Sequence, residues 1–203
     1  MVILVALGTT VFTTMAPQFG QKPRGADLER IQQSPNYGKG EFVNSIETKL
    51  ASFPDLIGTL PKFIFGKNLK PSDTLPVRYH QDHTQLAEGF SYVTWFGHSA
   101  FLIEMEGKRI LIDPMLTDWP SPVPFGSRRF PNQKPVSLDK LGNIDFVIIS
   151  HDHYDHLDYN SIIALRQQVD HFYTALGVGS HLKRWGIPCL LYTSDAADDS
   201  ALV

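Results

Sequence analysis

Between Ser150 and Asp158 the chain reads Ser150-His151-Asp152-His153-Tyr154-Asp155-His156-Leu157-Asp158, three imidazoles interleaved with three carboxylates. Imidazole nitrogens and carboxylate oxygens are the ligands that hold zinc and related divalent ions. His151 and His153 are two residues apart on a chain that is still nearly extended, so their side chains point the same way and can share one ion. Asp155 and His156 follow where the chain turns and can hold a second. Two divalent ions ~3.5–4 Å apart can share a water, lower its pKa toward ~7 and polarise a phosphoryl or carbonyl oxygen for attack. Asp152 and Asp158 do not fit this inward set and are read as supporting or surface groups. In a chain of this composition His-x-His-x-Asp-His arises by chance on the order of one time in a thousand. A metal-free version would bury polar groups that lack partners.

These side chains need a strand end to splay them and a helix to turn the chain away. Residues 144–150 (IDFVIIS) form a continuous, β-branched apolar run, which predicts a strand buried on both faces. Residues 160–169 place Ile162, Leu165 and Val169 on one helical face, with Asp158 as the cap. Upstream, residues 92–97 and 100–105 read as paired strands. The turn at Glu106-Gly107-Lys108 leads into a third strand, 109–113, stopped by Pro114, which completes a β meander. A proline-rich loop, 116–135, carries Arg128 and Arg129, which can meet a phosphate or serve as a solvated basic pair. Residues 172–175 suggest one more strand, and 181–185 a short helix closed by Gly186.

The stretch VTWFGHSAFLIEMEGKRILIDPML, followed by FVIISHDHYDHLDYNSI, resembles the metallo-β-lactamase superfamily, and within it the N-acylphosphatidylethanolamine-hydrolysing phospholipase D-like branch. The resemblance runs from Val93 to Pro188, anchored by Gly97-His98, Asp113-Pro114 and the His/Asp cluster. It implies an α+β fold, the N-terminal half of a four-layer αββα sandwich, with two divalent metal ions, zinc by family habit, and hydrolysis by a metal-bound hydroxide. His151 and His153 match ligands of the first ion. Asp155 and His156 match ligands of the second, with Asp155 also the catalytic carboxylate. Asp113 matches an acidic position behind the ligands that orients an imidazole. His98 is either a neighbour of the site or a structural turn residue. The implied substrate is a small molecule or lipid, a phosphodiester of phospholipid type. A lactone or carboxylic ester is the alternative.

The same resemblance demands a further histidine on the first ion, a bridging aspartate and a last histidine on the second, all well downstream of His156. His171 and His181 lie too close to replace them. The chain therefore reads as C-terminally truncated, and an inactive fragment is the reading from a different class. Residues 189–198 resemble the translated end of a sequencing adapter, so 189–203 is expected to be a non-native or disordered tail.

The first sixteen residues are uncharged and mostly apolar. They suit an export signal or membrane anchor, and otherwise a buried N-terminal strand or helix. A membrane-associated or exported protein follows from the first option, a cytoplasmic one from the second. Residues 17–88 read as an irregular arm with short helices at 27–33, capped by Asp27, at 42–50 and at 56–65. In it His80 and His83 flank Asp82 in a solvated loop. The partial domain occupies 89–188.

With 203 residues, 42% of them hydrophobic and 19% charged, the chain has the composition of a globular protein. A formal net charge of −3 gives no pull toward nucleic acid. The single Cys189 can build neither an internal disulfide nor a thiolate metal site. Gly177-Val178-Gly179 lacks the third glycine of a dinucleotide fingerprint, and Ser99 lacks a nucleophile-elbow context.

Overall fold

The computed structural model describes residues 1–44, 46, 52–65, 74–76, 90–124, 128–130, 137–188 and 192–193. The expected loop at His80, Asp82 and His83, and most of the tail beyond Pro188, lie outside the described residues.

The elements follow in chain order. They are α1 (Val2–Met15), α2 (Ala26–Gln32), β1 (Tyr37–Gly38), β2 (Glu41–Phe42), α3 (Phe53–Phe65), β3 (Tyr92–Gly97), β4 (Ala100–Met105), β5 (Lys108–Ile112), β6 (Ile144–Ile149), α4 (Tyr159–Leu165), β7 (Val169–Thr174), α5 (Gly179–Arg184) and β8 (Tyr192–Thr193). The main sheet has the order β3-β4-β5-β6-β7-β8. Its first three strands are antiparallel, the predicted meander, and β5 through β8 are parallel. This mixed sheet with helical crossovers is the α+β arrangement expected from the sequence.

Alternation along the strands decides which face is covered. Leu102, Leu111, Val147 and Phe172 stand in register on one face and are fully buried against Ile162 and Leu165 of α4 and Leu182 of α5. The opposite face carries Val93, Trp95 and Ile148, all exposed. The expectation that β6 is buried on both faces is therefore corrected, since Ile148 is 39% exposed. Periodicity reports that a residue is apolar, but a second layer is needed to bury it, and the described residues supply none on this side.

Three helix expectations shift as well. The helix after the cluster ends at Leu165, and Val169 instead opens β7. The backbone turns at Lys39 and Gly40, both at positive φ, fold residues 37–42 into a hairpin, so Phe42 begins no helix. Helix α2 starts behind Gly25 without a side-chain cap, and Asp27 is paired with Lys183 of α5 at 3.4 Å. The N-terminal apolar segment is helical, and Leu4, Val5, Leu7, Val11, Phe12 and Met15 in it are exposed among the described residues.

The arm is fastened to α5 and the turn that follows it. Trp185 Nε1 donates to Pro17 O at 2.7 Å, and Arg184 Nη1 to Gly20 O at 2.6 Å. At Gly20, φ is 62°, and a Cβ would sit 1.6 Å from Nδ1 of His181, so only glycine fits.

Candidate metal centre

Parallel pairing of β5 with β6, Ile112 opposite Ile148, sets two strand ends side by side. Pro114 cannot donate to the ladder and ends β5. Asp113 just before it adopts φ 42°, a left-handed conformation that Asp tolerates better than most side chains. Its N–H still donates to Ile148 O at 2.9 Å, which holds the residue against β6. The carboxylate, almost fully buried, reaches the end of that strand. Oδ1 accepts from the Ser150 N–H and Oδ2 from the Ser150 hydroxyl, both at 2.8 Å.

The same Oδ2 lies 2.9 Å from His156 Nδ1, and Ser150 Oγ lies 2.9 Å from His151 Nδ1. A carboxylate accepts only, so His156 donates from Nδ1. The single Ser150 hydroxyl proton goes to Asp113, so His151 also donates from Nδ1. One buried carboxylate thus fixes the tautomer of two imidazoles, His156 directly and His151 through Ser150, and leaves each Nε2 lone pair available to a cation. The contact between Asp113 and the His156 ring is one that the orienting role expected of Asp113 requires. The part played by Ser150 was not foreseen, although its place between the strand and the first histidine was the available signal.

Past Ser150 the chain turns on itself, with His156 N and Leu157 N both donating to His153 O at 2.9 and 2.8 Å, and the buried Leu157 anchors the turn. The turn gathers the rings at tilted and edge-on angles. His151 lies 4.1 Å from His156 and 4.6 Å from His153, centroid to centroid. Asp155 Oδ2 is 3.8 Å from His156 Nε2. Ring contacts thus set His151 beside His153 and His156, and Asp155 lies beside His156, but among the described residues the ligand atoms that converge within 4.8 Å are those of His98, Asp155 and His156, without His151 or His153.

His98 joins them. It occupies the turn between β3 and β4 at φ 49°, with its carbonyl accepting from Trp95 Nε1 at 2.9 Å. Its Nε2 lies 2.8 Å from Asp155 Oδ2, and its ring packs edge-on against His156. Of the two sequence readings, turn residue and neighbour of the site, the structure joins both. Ligand atoms of His98, Asp155 and His156 fall within 4.8 Å of one another.

The supporting carboxylates have other tasks. Asp158 is completely buried and caps α4, accepting from Asn160 N at 3.0 Å and from the hydroxyls of Ser161 and Thr117, each at 2.6 Å. Asp152 points away from the cluster toward His181, 3.7 Å distant, whose ring holds the Asp152 carboxyl below the usual carboxylate range.

Burial lowers the pKa of His151, and the charges that His156 and His153 can carry lower it further, against a weaker opposing pull from Asp113 and Asp155. Burial works to raise Asp155, but hydrogen bonds from its own backbone and from His98, with the charges of His156 and His98, outweigh it and keep the carboxyl below its ordinary range. A neutral imidazole beside an ionised carboxylate is the protonation state that a divalent cation requires of its ligands. The donor set fits such a cation.

A cleft of about 430 Å³ opens beside the cluster, from His98 and Asp155 to Trp95, Met115, Phe130 and Arg129. Arg128 and Arg129 both line it. Arg128 pairs with Asp118 and lies over the Trp119 ring, while Arg129 Nη1 donates to Met115 O at 3.1 Å. Gly97, φ 98°, lets Arg129 approach, since a Cβ there would lie 2.9 Å from Nη2.

An uncharacterized protein of Mycobacterium tuberculosis is 37% identical over 176 residues, 81% of this chain and 46% of its own. N-acyl-phosphatidylethanolamine-hydrolyzing phospholipase D 1 of Caenorhabditis elegans is 34% identical over 117 residues, 56% of this chain and 33% of its own. A UPF0173 metal-dependent hydrolase of Caldivirga maquilingensis is 44% identical over 66 residues, 32% of this chain and 23% of its own. The chain spans less than half the length of each of these relatives. Residues 108–198, which include Asp113 and the whole cluster from Ser150 to Asp158, match the model of the beta-lactamase superfamily domain.

Proposed function

We propose that the chain is part of a metal-dependent hydrolase that cleaves phosphodiesters of phospholipid-like molecules, with residues 89–188 as its catalytic portion. The observation that carries the reading is the Asp113 carboxylate, which holds Ser150 and His156 at hydrogen-bond distance and so leaves Nε2 of His151 and of His156 unprotonated toward a cation. His151 and His153 would hold one divalent ion, and Asp155 and His156 a second, zinc being the first choice. Such ions supply Lewis acidity, which makes water a nucleophile near neutral pH and polarises the bond to be broken.

The protein's own side chains do the rest. Asp113 and Ser150 keep the ligand imidazoles oriented, and His98 donates from Nε2 to the Asp155 carboxylate at the mouth of the cleft. Trp95, Met115 and Phe130 offer an apolar wall suited to an acyl chain, and the guanidiniums of Arg128 and Arg129 on the same cleft suit a phosphate. The likeness to a phospholipase D of this type supports the phosphodiester.

Zinc content and hydrolysis test the reading together. The folded chain, dialysed against zinc, is assayed with a phosphodiester and with a lactone. Zinc uptake with phosphodiester cleavage supports the proposal. Lactone cleavage alone replaces the substrate class and leaves the metal centre standing. Fewer than about 0.2 zinc per folded chain refutes metal capture by this set of residues and favours the inactive-fragment reading.

A further inference from the structure

We propose that α1 is a lipid-embedded anchor, with Arg184 set at its C-terminal end at the headgroup level. Three separate observations carry this. The first is composition. No charged side chain occurs among residues 2–15, and Leu4, Val5, Leu7, Val11, Phe12 and Met15 are all exposed. A helix that lies on a membrane surface or in a protein groove turns a strongly polar or charged face to water, and α1 has no ionic group to turn.

The second is the fate of its hydroxyls. Thr9 donates to Val5 O and Thr10 to Ala6 O, each at 2.9 Å, and Thr13 donates to Thr9 O at 3.0 Å. Thr14 likewise donates to Thr10 O. The side opposite the large apolar residues thus satisfies its donors within the helix. Water makes no such demand on an exposed threonine. Hydrocarbon does, because an unmet donor there costs several kcal/mol.

The third is the helix end. The last carbonyls of a helix have no partner within it. Here Arg184 Nη2 donates to Thr14 O at 2.6 Å, Met15 O at 3.0 Å and Ala16 O at 3.3 Å, and Trp185 Nε1 donates to Pro17 O. The half-buried Arg184 at the end of an apolar helix matches the chemistry of the membrane–water boundary, while Trp185, buried in the core, ties that end to the domain. No helix among the described residues is long and apolar enough to cross a membrane. The 14 residues of α1 are roughly 21 Å long, against a hydrocarbon core of ~30 Å.

Flotation of the full chain with neutral phosphatidylcholine vesicles, at low and at high salt, tests the anchor. The chain is expected to float with the vesicles at both salt concentrations. Leu7→Lys should lower its partition coefficient on the order of a hundredfold while circular dichroism and zinc uptake stay unchanged, since Leu7 touches solvent rather than the core. Three outcomes overturn the proposal. They are flotation equal for both proteins, flotation abolished by salt, and lipid-free self-association that Leu7→Lys dissolves without any vesicle binding by the parent chain. None of them bears on the metal chemistry, which has its own readout.

Discussion

Asp113→Asn is the sharpest probe of the metal centre, because it changes charge and proton inventory while keeping shape. Asparagine tolerates the left-handed backbone at φ 42° as aspartate does, so the turn into Pro114 survives, which an alanine would strain. The amide oxygen can keep the bond to the Ser150 N–H, and that orientation places the amide NH₂ where Oδ2 now accepts from Ser150 Oγ and lies against His156 Nδ1. Two donors then face two donors. His156 relieves the clash by moving its proton to Nε2, which removes the lone pair that a cation needs, and the Ser150 hydroxyl loses its fixed direction toward His151. Loss of such an orienting group costs roughly 10–100-fold in metal affinity, or about 1.4–2.7 kcal/mol. A buried charge-assisted bond is worth about 1.5–3 kcal/mol, so the metal-free fold should also weaken by an amount of this order. Competitive zinc titration against a chromophoric chelator gives the affinity, and nitrogen NMR of the imidazoles gives the tautomer. Zinc affinity within about twofold of the parent, with His156 still protonated on Nδ1, would refute the relay.

Other perturbations separate the supports. Because burial depresses His151 in the folded chain, the unfolded chain binds that proton first. The stability this contributes is present above pH 6.5 and is lost as pH falls from there through the lower folded value. Metal-free chemical denaturation across this window should show that slope, and His151→Gln should flatten it. Asp158→Ala removes the α4 cap and strands the hydroxyls of Thr117 and Ser161. A loss of about 2–4 kcal/mol is expected in urea unfolding, with zinc affinity reduced far less than by Asp113→Asn. Gly20→Ala drives a Cβ into His181 and should free residues 17–32 from α5, seen as faster hydrogen exchange in the arm with the exchange of β4–β6 unchanged.

The cluster could be read from the chain because its ligands are local: His151, His153, Asp155 and His156 lie within six residues, and one strand end presents them all. The strands of the meander were equally plain, each bounded by a glycine turn or a proline. What pairing alone could decide was hidden. That His98 meets Asp155 depends on the register of β3 with β4 and of β5 with β6, and no spacing in the sequence encodes a contact 57 residues apart. The link from Asp152 to His181 and the seat of Gly20 on that ring depend in the same way on where α5 docks. The exposure of Ile148 escaped for a different reason. Its apolar character is a property of the residue, whereas its burial is a property of a neighbouring layer.

The order of strands in the main sheet is the order in which they leave the ribosome, and this has a consequence for assembly. Among the described residues, every strand of this sheet joins the one synthesised just before it, so these strands can add by accretion. The costly step is the parallel union of β5 with β6, which closes the long connection between Ile112 and Ile144 before any bond rewards it. Once that union is made and the turn to His156 has formed, Asp113, Ser150 and the imidazoles are within reach of one another, while β7 and β8 are still to come. The topology therefore lets a nascent chain capture its cation before the sheet is finished, and makes zinc uptake by ribosome-bound chains of increasing length a clock for the β5–β6 step.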